Sequence, residues 1–220
     1  MRKRNLLMWT LMFVANVIVM ADTQEMVKLE VKVPCPQFGS FLKDVKSPNL
    51  EPARGGKPRT PIFVPAGVKL LSVGKKVTSS DPIPIIGYLS LVTDGDKEHD
   101  AATVVELAPK VQWVQVDLGA EHTLYAACVW HYHGEPRVYR DVICQVSNDP
   151  DFIDGVVTVF NNDHDNSAKL GKGKDKEYLE THEGRPFAIN GVKARYVRFY
   201  SNGNTSNEAN HYTEVDIYGK

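Results

Sequence analysis

The chain has 220 residues, with 26 Lys and Arg against 27 Asp and Glu, a formal net charge of −1, and three cysteines. So even a balance supplies no basic face for nucleic acid and no pull toward anionic membranes, and three cysteines make no disulfide scaffold. The length suffices for one well-buried domain with an extension.

The first element is a leader. Arg2, Lys3 and Arg4 precede an apolar run from Leu6 to Met20, and Val19 and Ala21 form the exit. These are the parts of a secretory signal peptide over residues 1–21, too short and too asymmetrically flanked for a membrane span, with an uncleaved anchor as the alternative. Cleavage leaves 199 of the 220 residues, beginning at Asp22, and moves the charge from −1 to −4 because three basic residues depart. The mature protein is then secreted or periplasmic.

Residues 22–73 read as an extension. Val27, Leu29, Val31 and Val33 alternate with Lys28, Glu30 and Lys32, a period-two strand stopped by Pro34 and Pro36. The stretch from Glu51 to Pro58 is broken by proline and glycine and predicts irregular chain. Either it wraps the main domain as a strap, or it is a free linker.

Residues 74–220 form the main domain, where strand signals recur with turns between them. Val111 to Leu118 alternates Trp113 and Gln115 against Val114 and Val116 and stops at Gly119. Further β-rich runs are Leu124 to Trp130, Val142 to Val146, Val156 to Phe160, Arg195 to Tyr200 and Thr213 to Tyr218. No run carries a sustained 3.6-residue period, so the fold class is all-β, a sandwich or barrel. Cys144 alternates with Val142 and Val146 as a core residue, and a Cys128–Cys144 bridge requires neighbouring strands. The polar stretch 161–176 reads as a solvated loop. Its Asp163-His164-Asp165 segment fails the EF-hand template, since Lys176 stands where a bidentate Glu belongs.

Four blocks, in order, resemble the discoidin family, the coagulation factor V/VIII C-type or galactose-binding-like domain, over about residues 74–219. They are Val77-Thr78-Ser79-Ser80 leading to Leu91-Val92-Thr93-Asp94-Gly95-Asp96, then Gln112 to Gly119 (QWVQVDLG), then Val146-Ser147-Asn148-Asp149, then Arg195 to Tyr200 followed by Glu214 to Gly219. The resemblance implies a jelly-roll sandwich with its termini close together.

It also implies a structural Ca²⁺. In that reading Asp94 and Glu214 are charged ligands, and carbonyls of Leu91, Asp96 and Thr213 complete most of a shell that asks for six to eight oxygens. A metal-free turn, its carboxylates accepting backbone N–H bonds, is the alternative. The ligand site is expected at the rim. His131 and His133, at i and i+2, share a face of their strand, with Arg137 and Tyr139 close behind. Asn210, His211 and Tyr212 join them from the last inter-strand loop; amide, imidazole and aromatic groups suit sugar hydroxyls and C–H faces. Two histidines alone leave a zinc site two ligands short. The apolar loop Pro82-Ile83-Pro84-Ile85-Ile86 either packs on the strap or meets a partner; membrane insertion lacks a basic ring.

The expected function is therefore non-catalytic binding of a glycan or cell-surface polysaccharide, as in adhesion. A cell-envelope protein partner docked on residues 22–73 is the second reading. A hydrolase using Glu135 or Asp141 is the third; acid–base chemistry needs two groups around a cleft, and the one nearby carboxylate pair is better explained as calcium ligands.

Overall fold

The structure, a computed structural model, describes residues 24–36, 45–100 and 102–220. The leader over 1–21 lies outside the described residues. The strands are β1 (Met26–Lys28), β2 (Phe63–Pro65), β3 (Lys69–Leu70), β4 (Lys76–Ser79), β5 (Val105–Leu107), β6 (Gln112–Trp130), β7 (Ile143–Ser147), β8 (Val157–Asn161), β9 (Arg185–Ser201), β10 (Asn210–Tyr212) and β11 (Glu214–Gly219). A short 3-10 helix, Leu89–Thr93, is the one helical turn named among the described residues.

All of the strand pairing is antiparallel. Seven strands join one continuous sheet, with β4 branching from β6. Two of them, β6 and β9, are long and bent, and each serves two layers. Gln112–Asp117 pairs with Tyr196–Ser201, and His122–Val129 pairs with Arg185–Ala194, with register shifts between. The first layer runs β4–β6–β9–β7–β8 through the early half of β6. The second runs β3–β11–β6–β9 through its late half. Gly119, at φ 87, ends the alternating run at the bend, where a left-handed backbone suits glycine.

Period-two alternation turns Val114, Val116, Val197, Phe199, Cys144 and Val146 of the first layer against Leu124, Ala127, Val129, Phe187, Val215 and Ile217 of the second. All belong to one buried cluster, each side chain worth ~1.5–3 kcal/mol on burial for the larger ones. The all-β sandwich expected from the strand pattern is what forms. Two predicted strands, Val111–Leu118 and Leu124–Trp130, are one: a glycine bulge bends the ladder without breaking it.

The Cys128–Cys144 bridge, left open by the sequence, does not form. Cys128 and Cys144 are both free thiols. Strand β9 lies between their strands, and Cys128 belongs to the outer face of β6, away from the core that holds Cys144. Burial pushes both thiols well up from their ordinary pKa.

The extension lies against the sandwich. β1 pairs with β2, and Val64 with Leu29, Val31 and Ile62 covers Ala126 and Tyr218 on the outer face of the second layer. Further along, Glu177 accepts bonds from the Ser47 hydroxyl (2.5 Å) and the Asn49 N–H (3.0 Å). Glu51 sits between Arg59 (2.9 Å) and Arg185 (2.8 Å), and both guanidinium groups lie over the Tyr178 ring.

Candidate functional site

Among the described residues the rim is built by residues 81–88, 94–100 with 102–106, 131–140 and 202–212. They are tied together by backbone pairing between β5 and β10 and by the Ile86–Glu106 and Tyr139–Asn204 bridges. The expected ligand residues converge here, but most of them face inward. His131, His133, Tyr139, Asn210, His211 and Tyr212 are all buried. His131 and His133 lie just past the end of β6, not on the strand that the i, i+2 argument assumed, and both are buried while Tyr132 between them is half-buried.

Inside, these groups satisfy one another. His131 stacks on Tyr139, ring centres 4.3 Å apart, and its Nδ1–H donates to Glu180 at 2.9 Å. The Tyr139 hydroxyl donates to His211 Nδ1 (3.0 Å), whose Nε2–H donates to Glu106 (3.1 Å). Burial, with Arg137 and His131 nearby, holds His211 down to about 4, outweighing the pull of Glu106 toward the charged ring. The Asn210 amide ties Ala108 and Lys110 carbonyls to the loop, and its Oδ1 accepts from Ser201 and the Gly203 N–H. Burial raises the Tyr139 and Tyr212 phenols. These residues shape the rim from beneath.

Arg137 is the expected ligand residue that reaches the surface. Its guanidinium lies 4.7 Å over the Tyr132 ring, its Nη2 donates to Glu135 at 3.1 Å, and Nε and Nη1 have no partner. Nε and Nη1 are buried, so it is the outer Nη2 edge of the cation, clamped on the aromatic face, that can orient hydroxyls or a carboxylate beside the ring. Gly134 allows the clamp: a Cβ there would strike the Tyr132 hydroxyl and come within 2.7 Å of the His99 ring. Tyr132 and His99 are residues that sequence reasoning passed over. Tyr132 was legible from the same alternation that singled out its neighbours, but His99, thirty-odd positions away, carried no such signal.

Of the expected calcium ligands, the turn that carries Asp94 and the side chain of Glu214 are brought together. Gly95 N–H donates to Glu214 Oε2 at 3.2 Å, and Asp94 Oδ1 accepts from the Asp96 N–H at 2.8 Å. Asp94 and Asp96 are exposed, and Leu91 and Thr213 flank them in sequence on the 3-10 helix and before β11. Glu214 is fully buried, and its Oε1 and the Thr213 hydroxyl have no partner. Burial pushes the Glu214 carboxyl up to about 9. A buried carboxylate with an orphaned oxygen, facing Asp94, fits a divalent cation. Lys97, unremarked in the sequence, is the local positive charge: its Nζ is 3.2 Å from Asp216 and 5.0 Å over the Trp130 ring.

A second acidic group corrects the reading of 161–176 as wholly solvated. Asp141, Asp163 and Asp165 bring carboxylate oxygens within 4.8 Å of one another, and the first two are buried. The cluster can hold a metal ion. Here both carboxylate oxygens of Asp163 already have donors, whereas Oε1 of Glu214 has none: Asp163 accepts from the N–H groups of Asn166, Ser167 and Ala168. Asp141 accepts from Ser167 Oγ and Asn202 Nδ2.

No family model matches the sequence, and no curated protein does. Solved structures match in fold. The CBM32 module of AlyQ, in complex with 4,5-unsaturated mannuronic acid, aligns with a TM-score of 0.51 at 21% identity, covering 68% of this chain and 97% of that one. A family 89 glycoside hydrolase from Clostridium perfringens, in complex with 2-acetamido-1,2-dideoxynojirmycin, aligns at 0.52 and 21% over 69% of this chain, which spans 14% of that enzyme. A truncated AlyQ with CBM32 and alginate lyase domains aligns at 0.50 and 21%, covering 70% of this chain and 34% of that one. The fold is a jelly-roll β-sandwich like that of the CBM32 module, the fold that the four sequence blocks implied.

Proposed function

We propose that this protein is an exported, non-catalytic carbohydrate-binding module that meets a glycan, such as a cell-surface polysaccharide, with its rim loops. The observation that carries the reading is the Arg137–Tyr132 clamp at the rim, the guanidinium 4.7 Å over the ring and its Nη2 edge turned to Glu135. The likeness to the AlyQ module, whose structure holds a sugar acid, supports it. The expected binding set shifts accordingly. Tyr132 and Arg137 touch the ligand, while His131, His133, Tyr139, Asn210, His211 and Tyr212 hold the loops that present them. Ca²⁺ at Asp94 and Glu214, with carbonyls of Leu91, Asp96 and Thr213, staples the loop beside this surface and takes no part in chemistry. Groups this shallow bind in the micromolar to millimolar range, about −4 to −8 kcal/mol.

The test is affinity electrophoresis and calorimetry against a panel of neutral and acidic polysaccharides with Ca²⁺ present. Binding by the wild type that is lost in Arg137→Ala supports the reading; no binding to any glycan by folded protein ends it. One observation favours a protein partner of the cell envelope instead: Ile83 is 81% and Tyr88 79% exposed, with Ile85 and Ile86 between them. Crosslinked capture that depends on Ile83 and Tyr88, in a glycan-negative protein, would select that reading.

A further inference from the structure

We propose that His99 and His133 form a binding site for a borderline divalent cation of the Zn²⁺ or Co²⁺ class, separate from the carboxylate sites. The two imidazoles come from different rim segments and lie with ring centres 5.5 Å apart, tilted by 42°. Nδ1 of each is buried and has no hydrogen-bond partner. Among buried polar atoms this is unusual, since the great majority are paired.

The tautomer of His133 is set by its surroundings. Its Nε2 is 2.8 Å from the Lys97 carbonyl oxygen. A carbonyl only accepts, so Nε2 carries the hydrogen and donates. In the neutral ring Nδ1 then holds a bare lone pair. Metal-binding histidines are arranged in this way, one nitrogen donating to a backbone carbonyl or carboxylate and the other facing the ion.

The ring spacing agrees. Two imidazoles bound to one tetrahedral ion at ~2.0–2.1 Å from each nitrogen place their ring centres about 5.2 Å apart. The observed 5.5 Å is within a small side-chain adjustment of that value. Gly134 keeps the approach open, because a Cβ there would come within 2.7 Å of the His99 ring and strike the Tyr132 hydroxyl. Tyr132 therefore borders the pair on its outer side, and His99, half-buried, provides the way in.

Imidazole nitrogen selects the class of ion. Ca²⁺ asks for oxygens, whereas Zn²⁺ and Co²⁺ accept nitrogen. Two protein ligands leave the remaining positions to water or to a group of a bound ligand.

The experiment uses the purified chain freed of metal with a chelator and titrated with Zn²⁺ by calorimetry and with Co²⁺ by visible absorption. Wild type and His164→Gln, which alters an exposed histidine elsewhere, are expected to bind one ion at micromolar to submillimolar concentration. Co²⁺ should give a ligand-field band of nitrogen ligation. His99→Gln and His133→Gln should each weaken Zn²⁺ at least tenfold and remove the band. His99, being half-buried, carries the result if His133→Gln does not fold, as circular dichroism will show. No Zn²⁺ or Co²⁺ binding by wild type up to ~1 mM overturns the proposal. So does unchanged binding in His99→Gln, or loss of the band in His164→Gln instead.

Discussion

Arg137 and His211 both belong to the rim segments, yet they do opposite work. Arg137 keeps 11% of its side chain exposed and lies over the Tyr132 ring with its Nη2 edge on Glu135. Replacing it with alanine should weaken glycan binding at least tenfold while leaving the melting temperature within a few degrees. Parallel calorimetry and thermal scans check this, and unchanged affinity would remove Arg137 from the site. His211 is a closed account: it accepts from Tyr139 and donates to Glu106, an arrangement that only the neutral ring can make. Its pKa in the fold, about 4, lies below the ordinary 6.5. The unfolded chain therefore takes up the proton first as pH falls. The stability from this residue is present above pH 6.5 and is lost as pH falls through 4, roughly 2–3 kcal/mol over that window. Urea unfolding at pH 7 and pH 4.5 should show a larger drop for wild type than for His211→Gln; equal drops would refute the assignment.

At the scale of elements, the loop before β5 and the strap before β2 each depend on one buried or half-buried carboxylate. For the loop it is Glu214, whose Oε1 lacks a partner. Ca²⁺ at about a hundred times its dissociation constant should add about 2.7 kcal/mol, seen as a rise of a few degrees in melting temperature over a chelator control. Glu214→Gln should abolish the rise, and Asp141→Asn should not. If the two variants behave the other way round, the ion sits among Asp141, Asp163 and Asp165. For the strap it is Glu51, held between Arg59 and Arg185. Glu51→Gln leaves two half-buried guanidinium groups short of a counter-charge and should cost about 2 kcal/mol by urea unfolding, between the values for exposed and buried pairs. A cost near zero would mean that the strap is held by its apolar contacts at Val64, Leu29 and Ile62 alone. Gly184 marks the same dependence on close packing: at φ 60, its missing Cβ leaves 2.7 Å to the Trp130 ring.

Across the whole molecule, the strands were readable because alternation is a local property. Val114 and Val116, or Val215 and Ile217, announce which face is buried within a few residues of chain. The approach of the Asp94–Asp96 turn to Glu214 had a signal in the sequence, because the Asp-Gly-Asp turn is contiguous and Glu214 comes with a recognisable last strand. The histidines show where such reading stops. Alternation put His131 and His133 on one face of a strand, but they lie just past its end, and their burial is decided by what packs across them. Lys97, Glu180 and the pairing of Asp141 with Asp163 had no local signal at all; they meet only because loops far apart in sequence close over the same end of the sandwich. The strap's ionic contacts are likewise a tertiary product, since nothing in residues 47–59 names Glu177 or Arg185 as its partners.

The bend in β6 and β9 has one more consequence. Because the same two strands pass from one layer into the other, neither layer can come apart while the second stays whole. Amide hydrogen exchange should then show a single slowest class, shared by Val114–Val116, Ala126–Val129 and Val197–Phe199 alike, exchanging only when the entire chain opens. Two separate slow classes, divided at Gly119, would instead reveal a hinge. A scaffold without such a hinge keeps its loops in fixed relation, so ligand capture at the rim would leave the sandwich behind it unmoved.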